Sequence, residues 1–199
     1  SLKLRETGEG FFLVGTNKGK LGDNQGAIAN FNKAIAINPQ NATTYYNRGT
    51  YKNDLGDSQG AIADFNKVIA INPQSADAYN NRGFAKKNLG DYQGAIADFN
   101  KAIAINPRFA FAYYNRGTTK KDLKDFQGAI ADFNKAISIN PQFAFAYNNR
   151  AIAKDELGDH QGAIADSSKA IAINPQDANA YYNRGNAKYD LGDYQGAIA

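Results

Sequence analysis

Hydrophobic and small side chains recur at three- and four-residue steps in the segment 75–108. The two stripes they form contain Tyr79, Gly83, Lys86 and Leu89, and then Ala95, Phe99, Ala102 and Ile103. This period is typical of α-helices that bury one face. Gly90 and Asp91 lie between the stripes, which predicts a turn there, and Asn106 and Pro107 predict the end of the second helix. The segment therefore predicts two helices of about 14 residues in an antiparallel hairpin.

The same pattern returns every 34 residues along the chain. All five prolines follow this period: Pro39, Pro73, Pro107, Pro141 and Pro175. The pentapeptide Gln-Gly-Ala-Ile-Ala follows it too, beginning at Gln25, Gln59, Gln93, Gln127, Gln161 and Gln195. A fixed period of this length indicates a repeat protein, in which neighbouring hairpins stack because one hairpin alone leaves a face unburied.

The repeat resembles the tetratricopeptide repeat family. In 75–108 the resemblance rests on Tyr79, Gly83, Leu89-Gly90-Asp91-Tyr92, Ala95, Phe99, Ala102 and Pro107. It implies an all-α fold, a right-handed α-solenoid (superhelix) of stacked antiparallel helix hairpins. We expect an N-terminal extension at residues 1–6 and a single array over 7–199. Its units would be 7–40 (degenerate), 41–74, 75–108, 109–142, 143–176 and 177–199 (truncated).

The first unit departs most from the pattern. Its first helix would contain Gly8, Gly10, Gly15 and Gly19. Each glycine costs about 1 kcal/mol relative to alanine inside a helix, so we expect this helix to be short or frayed. Alternatively, Leu2, Leu4, Phe12 and Val14 belong to the end of an extended segment from an upstream domain.

Arginine, lysine and aspartate also repeat with the period. They are Arg48, Arg82, Arg116, Arg150 and Arg184; Lys52, Lys86, Lys120, Lys154 and Lys188; and Asp64, Asp98, Asp132 and Asp166. We expect Arg82 to reach Asp98 within its unit, or Asp64 of the preceding one. With the charged heads in water, such a pair is worth about 0 to 1 kcal/mol. A solvated acidic face unrelated to the arginines is the alternative.

Ser167 stands where other units have Phe65, Phe99 and Phe133. A missing core aromatic costs about 3 to 5 kcal/mol, so 143–176 should be the loosest complete unit unless a neighbour fills the gap. Ser167→Phe is then expected to raise the melting temperature.

Composition excludes several kinds of site. The 199 residues carry a net charge of +4, no cysteine and one histidine, His160. Disulfides, thiolate zinc sites and histidine-rich metal sites are therefore excluded, and no metal or cofactor is expected. His160 takes a turn position in the repeat, which favours packing over catalysis, and no nucleophile–base arrangement is evident. The sequence has no apolar run of about 18 residues, so no membrane partner is expected. We therefore expect that the protein is not an enzyme.

The first helices are the expected binding surface, since they line the inner face of a tetratricopeptide array. One position is asparagine in all five recognisable first helices, at Asn47, Asn81, Asn115, Asn149 and Asn183, while Leu13 fills it in the degenerate first unit. This resembles the asparagine ladder of the tetratricopeptide superhelix of O-GlcNAc transferase, whose amides hold a peptide backbone. Aromatic residues of the same face complete the candidate site: Tyr46, Phe84, Phe111, Tyr114, Phe145 and Tyr182. The alternatives are that asparagine caps or spaces the helix, and that Phe109 and Phe143 fill joints in the core.

The predicted function is a non-enzymatic scaffold that holds an extended peptide or a partner segment on its concave face. The alternative is a regulatory or oligomerisation module of a larger multidomain protein. Nucleic acid is a less favoured partner, and chaperone-tail capture is disfavoured because Tyr46, Asn47, Thr50 and Asn81 stand where basic residues would be needed. Because the sixth unit stops at Ala199, head-to-tail association of copies is also expected.

Overall fold

The computed structural model describes residues 7–198, which contain twelve α-helices and no strand. The helices are α1 (Gly8–Lys20), α2 (Asn24–Ile37), α3 (Ala42–Asp54), α4 (Ser58–Ile71), α5 (Ala76–Asn88), α6 (Tyr92–Ile105), α7 (Ala110–Asp122), α8 (Phe126–Ile139), α9 (Ala144–Asp155), α10 (His160–Ile173), α11 (Ala178–Asp190) and α12 (Tyr194–Ala197). Two compact units divide the chain between Ile105 and Asn106. We call them unit 1, with α1–α6, and unit 2, with α7–α12.

Within each unit, consecutive helices form hairpins, and the hairpins stack. Each second helix also packs against the first helix of the following hairpin, as α4 does against α5 and α8 against α9. First helices of neighbouring hairpins touch as well, α3 with α5 and α9 with α11. The predicted fold class, an all-α solenoid of stacked helix hairpins, is confirmed. None of the helices between residues 7 and 198 has the length and apolar run that a membrane crossing requires.

The turn inside each hairpin follows from two residue types. Gly90 has a φ of 80°, a left-handed conformation that glycine adopts without steric cost and that ends the first helix. The aspartate after this position caps the second helix, as where Asp57 accepts a 2.8 Å hydrogen bond from the Gly60 N–H. In the fourth repeat Lys124 takes the place of the glycine and keeps the left-handed conformation, with a φ of 62°.

The core of a hairpin is built from one phenylalanine and one glycine. Phe99 is fully buried, and a Cβ added at Gly83 would lie 2.8 Å from its ring. The same pair recurs at Phe31 with Gly15, Phe65 with Gly49 and Phe133 with Gly117. Glycine is therefore required on the first helix so that the ring can lie against its backbone.

The expectation that the first helix is short or frayed is wrong. α1 runs over 13 residues, as long as α3 and α5, and Phe12 and Val14 lie inside it, so they are not part of an extended segment. Its glycines fit close contacts: a Cβ at Gly15 would lie 2.9 Å from the Phe31 ring, and one at Gly19 would overlap Tyr51. Close packing thus offsets the poor helix propensity of glycine. Leu2 and Leu4 lie outside the described residues.

The arginines pair with aspartates inside their own repeats, as predicted for Arg82. Arg82 binds Asp98 through both Nε and Nη2, at 2.9 and 2.6 Å, and Lys86 Nζ reaches the same carboxylate at 2.8 Å. Equivalent clusters join Arg48, Asp64 and Lys52; Arg116, Asp132 and Lys120; and Arg150, Asp166 and Lys154. The alternative of an unrelated acidic face is wrong.

These clusters are more buried than the sequence suggested. Asp64, Asp98, Asp132 and Asp166 are buried, and the arginine and lysine heads bind them instead of projecting into water. Arg82 Nη1 also reaches Asn66 of the preceding repeat at 2.6 Å. Removing one member of a buried ion pair costs about 3 to 5 kcal/mol, far more than the value for an exposed pair. The clusters therefore fix the hairpin interior and also link one repeat to the next.

The fifth repeat has lost its phenylalanine and its glycine together. Ser167 is fully buried where the ring would lie, and Ala151 stands where the other complete repeats have glycine. Ala151 is itself buried, so its methyl group occupies space near the position that the ring would take. The Ser167 hydroxyl has no hydrogen-bond partner in the described part of the chain. Ala151 thus partly fills the gap, and the buried Ser167 hydroxyl that replaces the ring is left unpaired.

Candidate functional site

In each unit the first helices form a surface that we call the first-helix face of that unit, with α1, α3 and α5 in unit 1, and α7, α9 and α11 in unit 2. All eleven predicted site residues lie on these helices. Asn47 is half-buried on α3, and Asn115 is half-buried on α7. Leu13, which replaces the asparagine in the first repeat, is half-exposed on α1.

In unit 1 the asparagine position bridges two repeats. Asn81 of α5 donates from Nδ2 to the Tyr46 hydroxyl of α3 over 2.9 Å, and its Oδ1 accepts from Asn80 over 3.1 Å. Burial raises the pKa of Tyr46, Asp77 raises it further, and the hydrogen bond from Asn81 lowers it. The Tyr46 hydroxyl therefore stays protonated at neutral pH and holds the amide in place.

Two cavities open between α3 and α5. The larger, of about 460 Å³, is lined by Ala42, Thr43, Tyr46, Val68, Asn72, Ser75 and Asp77. The smaller, of about 210 Å³, is lined by Thr50, Asn53, Asp54, Phe65, Asn81 and Phe84. The predicted residues Tyr46, Asn81 and Phe84 thus meet around concave surface, with the bonded pair Tyr46–Asn81 shared between the two cavities.

Unit 2 contains two such bridges between repeats, one to a tyrosine and one to an asparagine. Asn149 donates to the Tyr114 hydroxyl at 3.2 Å and to the Phe145 carbonyl at 3.0 Å. Asn183 donates to Asn148 Oδ1 at 2.8 Å. Burial raises the pKa of Tyr114, while the hydrogen bond from Asn149 lowers it. An amide has two donor hydrogens and two acceptor lone pairs, so each bridging asparagine retains capacity for a ligand.

Unit 2 also carries an aromatic patch, which consists of Phe111, Tyr114 and Phe143, and Phe145 lies on the same helix as Asn149, which binds Tyr114. Phe143 is buried, and its ring lies 4.9 Å from the rings of both Phe111 and Tyr114. Phe111 and Phe145 are 56% and 59% exposed. Phe143 stands at the N-cap of α9 and makes no side-chain capping bond, whereas Ser75 caps α5. A phenylalanine ring that packs against Phe111 and Tyr114 thus takes the place of a capping side chain.

The predicted aromatic cluster is divided between the units. Phe111, Tyr114 and Phe145 lie in unit 2, whereas Phe84 lies in unit 1, 41% exposed beside Asn81. Tyr182 on α11 is 68% exposed. The prediction that Phe143 fills a joint in the core is confirmed by its burial, while Phe109 is half-buried.

Sequence reasoning missed the partners of the asparagines. Tyr46, Tyr114 and Asn148 lie 35 residues before the amide that each binds, one repeat plus one residue. That spacing is visible in the sequence, but which side chains meet across two helices is not. The carboxylates Asp54 and Asp77 in the cavities were also missed, because single acidic residues on a helix carry no motif.

One group of side chains has the composition of a metal site. Asp155, His160 and Asp190 of unit 2 each offer a ligand atom, and these atoms lie within 4.8 Å of one another. His160 Nδ1 is already hydrogen-bonded to Asp155 at 2.7 Å. This contact joins the end of α9 to the start of α10, in line with the packing role predicted for this histidine.

Models of one protein family match most of the chain. Models described as "Tetratricopeptide repeat" match residues 76–109, 110–143 and 133–165, and one described as "TPR repeat" matches 20–54, 52–90 and 156–192. The chain belongs to the tetratricopeptide repeat family. Members of this family are in general non-catalytic scaffolds for protein interactions.

Solved structures agree with this assignment. The crystal structure of MamA is 31% identical, with a TM-score of 0.74 over 83% of this chain and 96% of MamA. PilW, described as a widely conserved type IV pilus biogenesis factor, is 23% identical, with a TM-score of 0.87 over 96% of this chain and 89% of PilW. YrrB, described as a TPR protein with an unusual peptide-binding site, is 19% identical, with a TM-score of 0.68 over 88% of this chain and 91% of YrrB. The last two show the fold alone. No curated protein matches the chain.

Proposed function

We propose that this tetratricopeptide repeat protein binds extended segments of a partner protein along the first-helix face of each unit. The bridging amides of Asn81 and Asn149 would pair with the peptide backbone, and Phe111 and Phe145 would hold an apolar side chain. Backbone pairing does not select a sequence, so the side-chain contacts would set specificity. The peptide-binding description of YrrB supports this mode of action for the fold.

The observation that carries the proposal is the exposure of large aromatics beside hydrogen-bonding amides. Phe111 and Phe145 are more than half exposed on a helix face whose neighbouring Asn149 is oriented by Tyr114. Exposed aromatic patches rimmed by polar groups mark interaction surfaces, and buried aromatics are enriched among residues that dominate binding energy. The interior ion clusters, by contrast, are satisfied within the repeats and offer nothing to a partner.

A selection experiment tests the proposal. Random 12-residue peptides displayed on phage are selected on the immobilised chain, and the affinity of an enriched peptide is then measured by fluorescence anisotropy. Loss of one peptide-pairing amide costs about 0.5 to 1.5 kcal/mol, so Asn81→Ala with Asn149→Ala should weaken binding about tenfold. The matched control is Lys67→Ala with Lys135→Ala, two exposed residues of second helices, which should leave the affinity unchanged.

Three outcomes contradict the proposal. One is that no peptide is enriched, and another is that the asparagine pair and the lysine pair weaken binding equally. The third is steep salt dependence with single-stranded nucleic acid competing for the same surface, which would indicate phosphate binding. Circular dichroism of each variant shows whether the helices persist, since Asn81 also bridges two repeats.

A further inference from the structure

The two cavities between α3 and α5 share one chemical character. Each is lined by one aromatic ring or more and by a single charged residue, which is a carboxylate: Asp77 beside Tyr46 in the larger, and Asp54 beside Phe65 and Phe84 in the smaller. No lysine or arginine lines either cavity. Both carboxylates are exposed.

The charge of these carboxylates is not balanced by an ion pair. Between residues 7 and 198, neither Asp54 nor Asp77 forms a salt bridge. The buried Asp64 and Asp98 of the same unit are different, since each binds an arginine and a lysine. Asp77 acts on its cavity, where its charge raises the pKa of Tyr46, after the larger effect of burial.

An aromatic wall beside an unpaired carboxylate suits a basic side chain. The aliphatic stem of lysine or arginine packs on apolar surface, while the charged head binds the carboxylate or lies over the ring. Arginine suits such a site best because its planar guanidinium stacks on rings and forms paired hydrogen bonds to carboxylates.

The spacing of the cavities fixes the spacing of the ligand's side chains. Asp77 and Phe84 mark the two cavities on α5 and are seven residues apart, which is about 10 Å at the α-helical rise of 1.5 Å per residue. A peptide in the polyproline II conformation advances about 3.1 Å per residue with three residues per turn, so side chains three positions apart lie on the same side and about 9 Å from each other. Asn81 lies between them on α5, where its amide faces the backbone of a peptide that connects the two cavities.

We propose, on the basis of the peptide-binding function above, that the first-helix face of unit 1 selects segments in the polyproline II conformation with two basic residues three positions apart. The order is basic side chain, two intervening residues, basic side chain, with one side chain in each cavity. Unit 2 lacks this chemistry, because Phe111 and Phe145 occupy the repeat position of Asp77. The proposal thus assigns charge recognition to unit 1 and apolar recognition to unit 2.

The test uses the full chain and four synthetic 12-residue peptides on an alanine–serine background. The first has two arginines separated by two residues, the second has glutamine in place of both, the third has only one arginine, and the fourth has the arginines in adjacent positions. Fluorescence anisotropy at low salt should show the first peptide binding at least tenfold more tightly than the second. The third and fourth peptides should fall between them.

Variants locate the effect. Asp77→Asn and Asp54→Asn should each weaken the first peptide about threefold to tenfold and leave the glutamine peptide unchanged. Glu156→Gln in unit 2 is the control, since it removes the same charge from the repeat position that corresponds to Asp54. Equal weakening by Glu156→Gln and Asp77→Asn overturns the proposal in favour of a general charge effect.

The outcomes also separate this inference from the function on which it rests. If the glutamine peptide binds as tightly as the arginine peptide, the basic preference is wrong, while peptide binding by the face stands. If selected phage peptides without basic pairs bind the first-helix face of unit 1, the same conclusion holds. If neither the phage selection nor the synthetic peptides give binding, the proposed function itself is wrong.

Discussion

Unit 1 and unit 2 have the same interior and different first-helix faces. Both contain the buried cluster of arginine, lysine and aspartate, and both contain the pair of phenylalanine and glycine, except where the fifth repeat has Ser167 with Ala151. On the surface, unit 1 presents cavities with hydroxyl, amide and carboxylate groups, and unit 2 presents exposed phenylalanines. Positions that build the hairpin are nearly constant, whereas the first-helix faces keep their asparagine and vary at the acidic and aromatic positions, as where Phe111 and Phe145 replace Asp77. That difference separates the shared structural positions from the candidate binding positions within a single chain.

The largest expected effect is on stability and concerns the interior that both units share. Asp98→Ala in unit 1 and Asp132→Ala in unit 2 each leave an arginine and a lysine without their buried carboxylate. Each should lower the free energy of unfolding by about 3 to 5 kcal/mol, measured by urea denaturation. Asp77→Ala, at an exposed position, should change it by less than about 0.5 kcal/mol. A small effect in only one of the two units would show that the interiors are not equivalent.

The next largest effect on stability concerns the fifth repeat, where Ser167 and Ala151 replace phenylalanine and glycine. Ser167→Phe alone should now be destabilising by about 1 to 3 kcal/mol, because Ala151 has a methyl group where the other phenylalanines need glycine. This revises the sequence-based expectation of a raised melting temperature. Combined with Ala151→Gly, the same substitution should be at least as stable as the parent chain.

Thermal melts of the two single variants and the double variant measure the coupling between the sites. Additive effects of the two substitutions would mean that residues 151 and 167 do not share one space.

The binding surface of unit 2 should respond in affinity and not in stability. Phe145→Ala should weaken a phage-selected peptide by about 2 kcal/mol, roughly thirtyfold, if the exposed ring anchors an apolar side chain. Since Phe145 is 59% exposed, its removal should leave the melting temperature nearly unchanged. Isothermal titration calorimetry and a thermal melt on the same sample separate the two effects. Unchanged affinity would exclude Phe145 from the binding site.

The smallest effect is at the turn that distinguishes the fourth repeat. Lys124 holds a φ of 62°, whereas the corresponding turns in unit 1 use Gly22, Gly56 and Gly90. Lys124→Gly should stabilise the chain by about 0.5 to 1 kcal/mol, because glycine takes a left-handed φ without strain. Urea denaturation is the measurement, with Lys121→Gly inside α7 as the contrast that should destabilise. A loss of stability for Lys124→Gly would mean that the lysine side chain contributes more than its backbone costs.

The sequence was sufficient for the hairpins, since the predicted unit 75–108 contains α5 and α6 with the turn at Gly90. The 34-residue period repeats every signal several times, so weak local evidence accumulates. The sequence could not show which particular side chains come into contact. Arg82 had two candidate partners, the regular α1 depended on Gly15 lying against Phe31, and the bridge from Asn81 to Tyr46 depended on the stacking of two first helices. Each requires the packing of helices that are distant in sequence.

The most direct test of peptide binding by the first-helix face is site-specific photocrosslinking. A benzophenone side chain is introduced as Phe84→p-benzoylphenylalanine in unit 1 or Phe145→p-benzoylphenylalanine in unit 2, and at the exposed second-helix residues Lys67 and Lys135 as controls. With a phage-selected peptide, irradiation should yield crosslinked complex from Phe84 or Phe145 and none from the lysine positions. Crosslinks from Lys67 and Lys135 with none from Phe84 and Phe145 would place the peptide on the second helices and contradict the account.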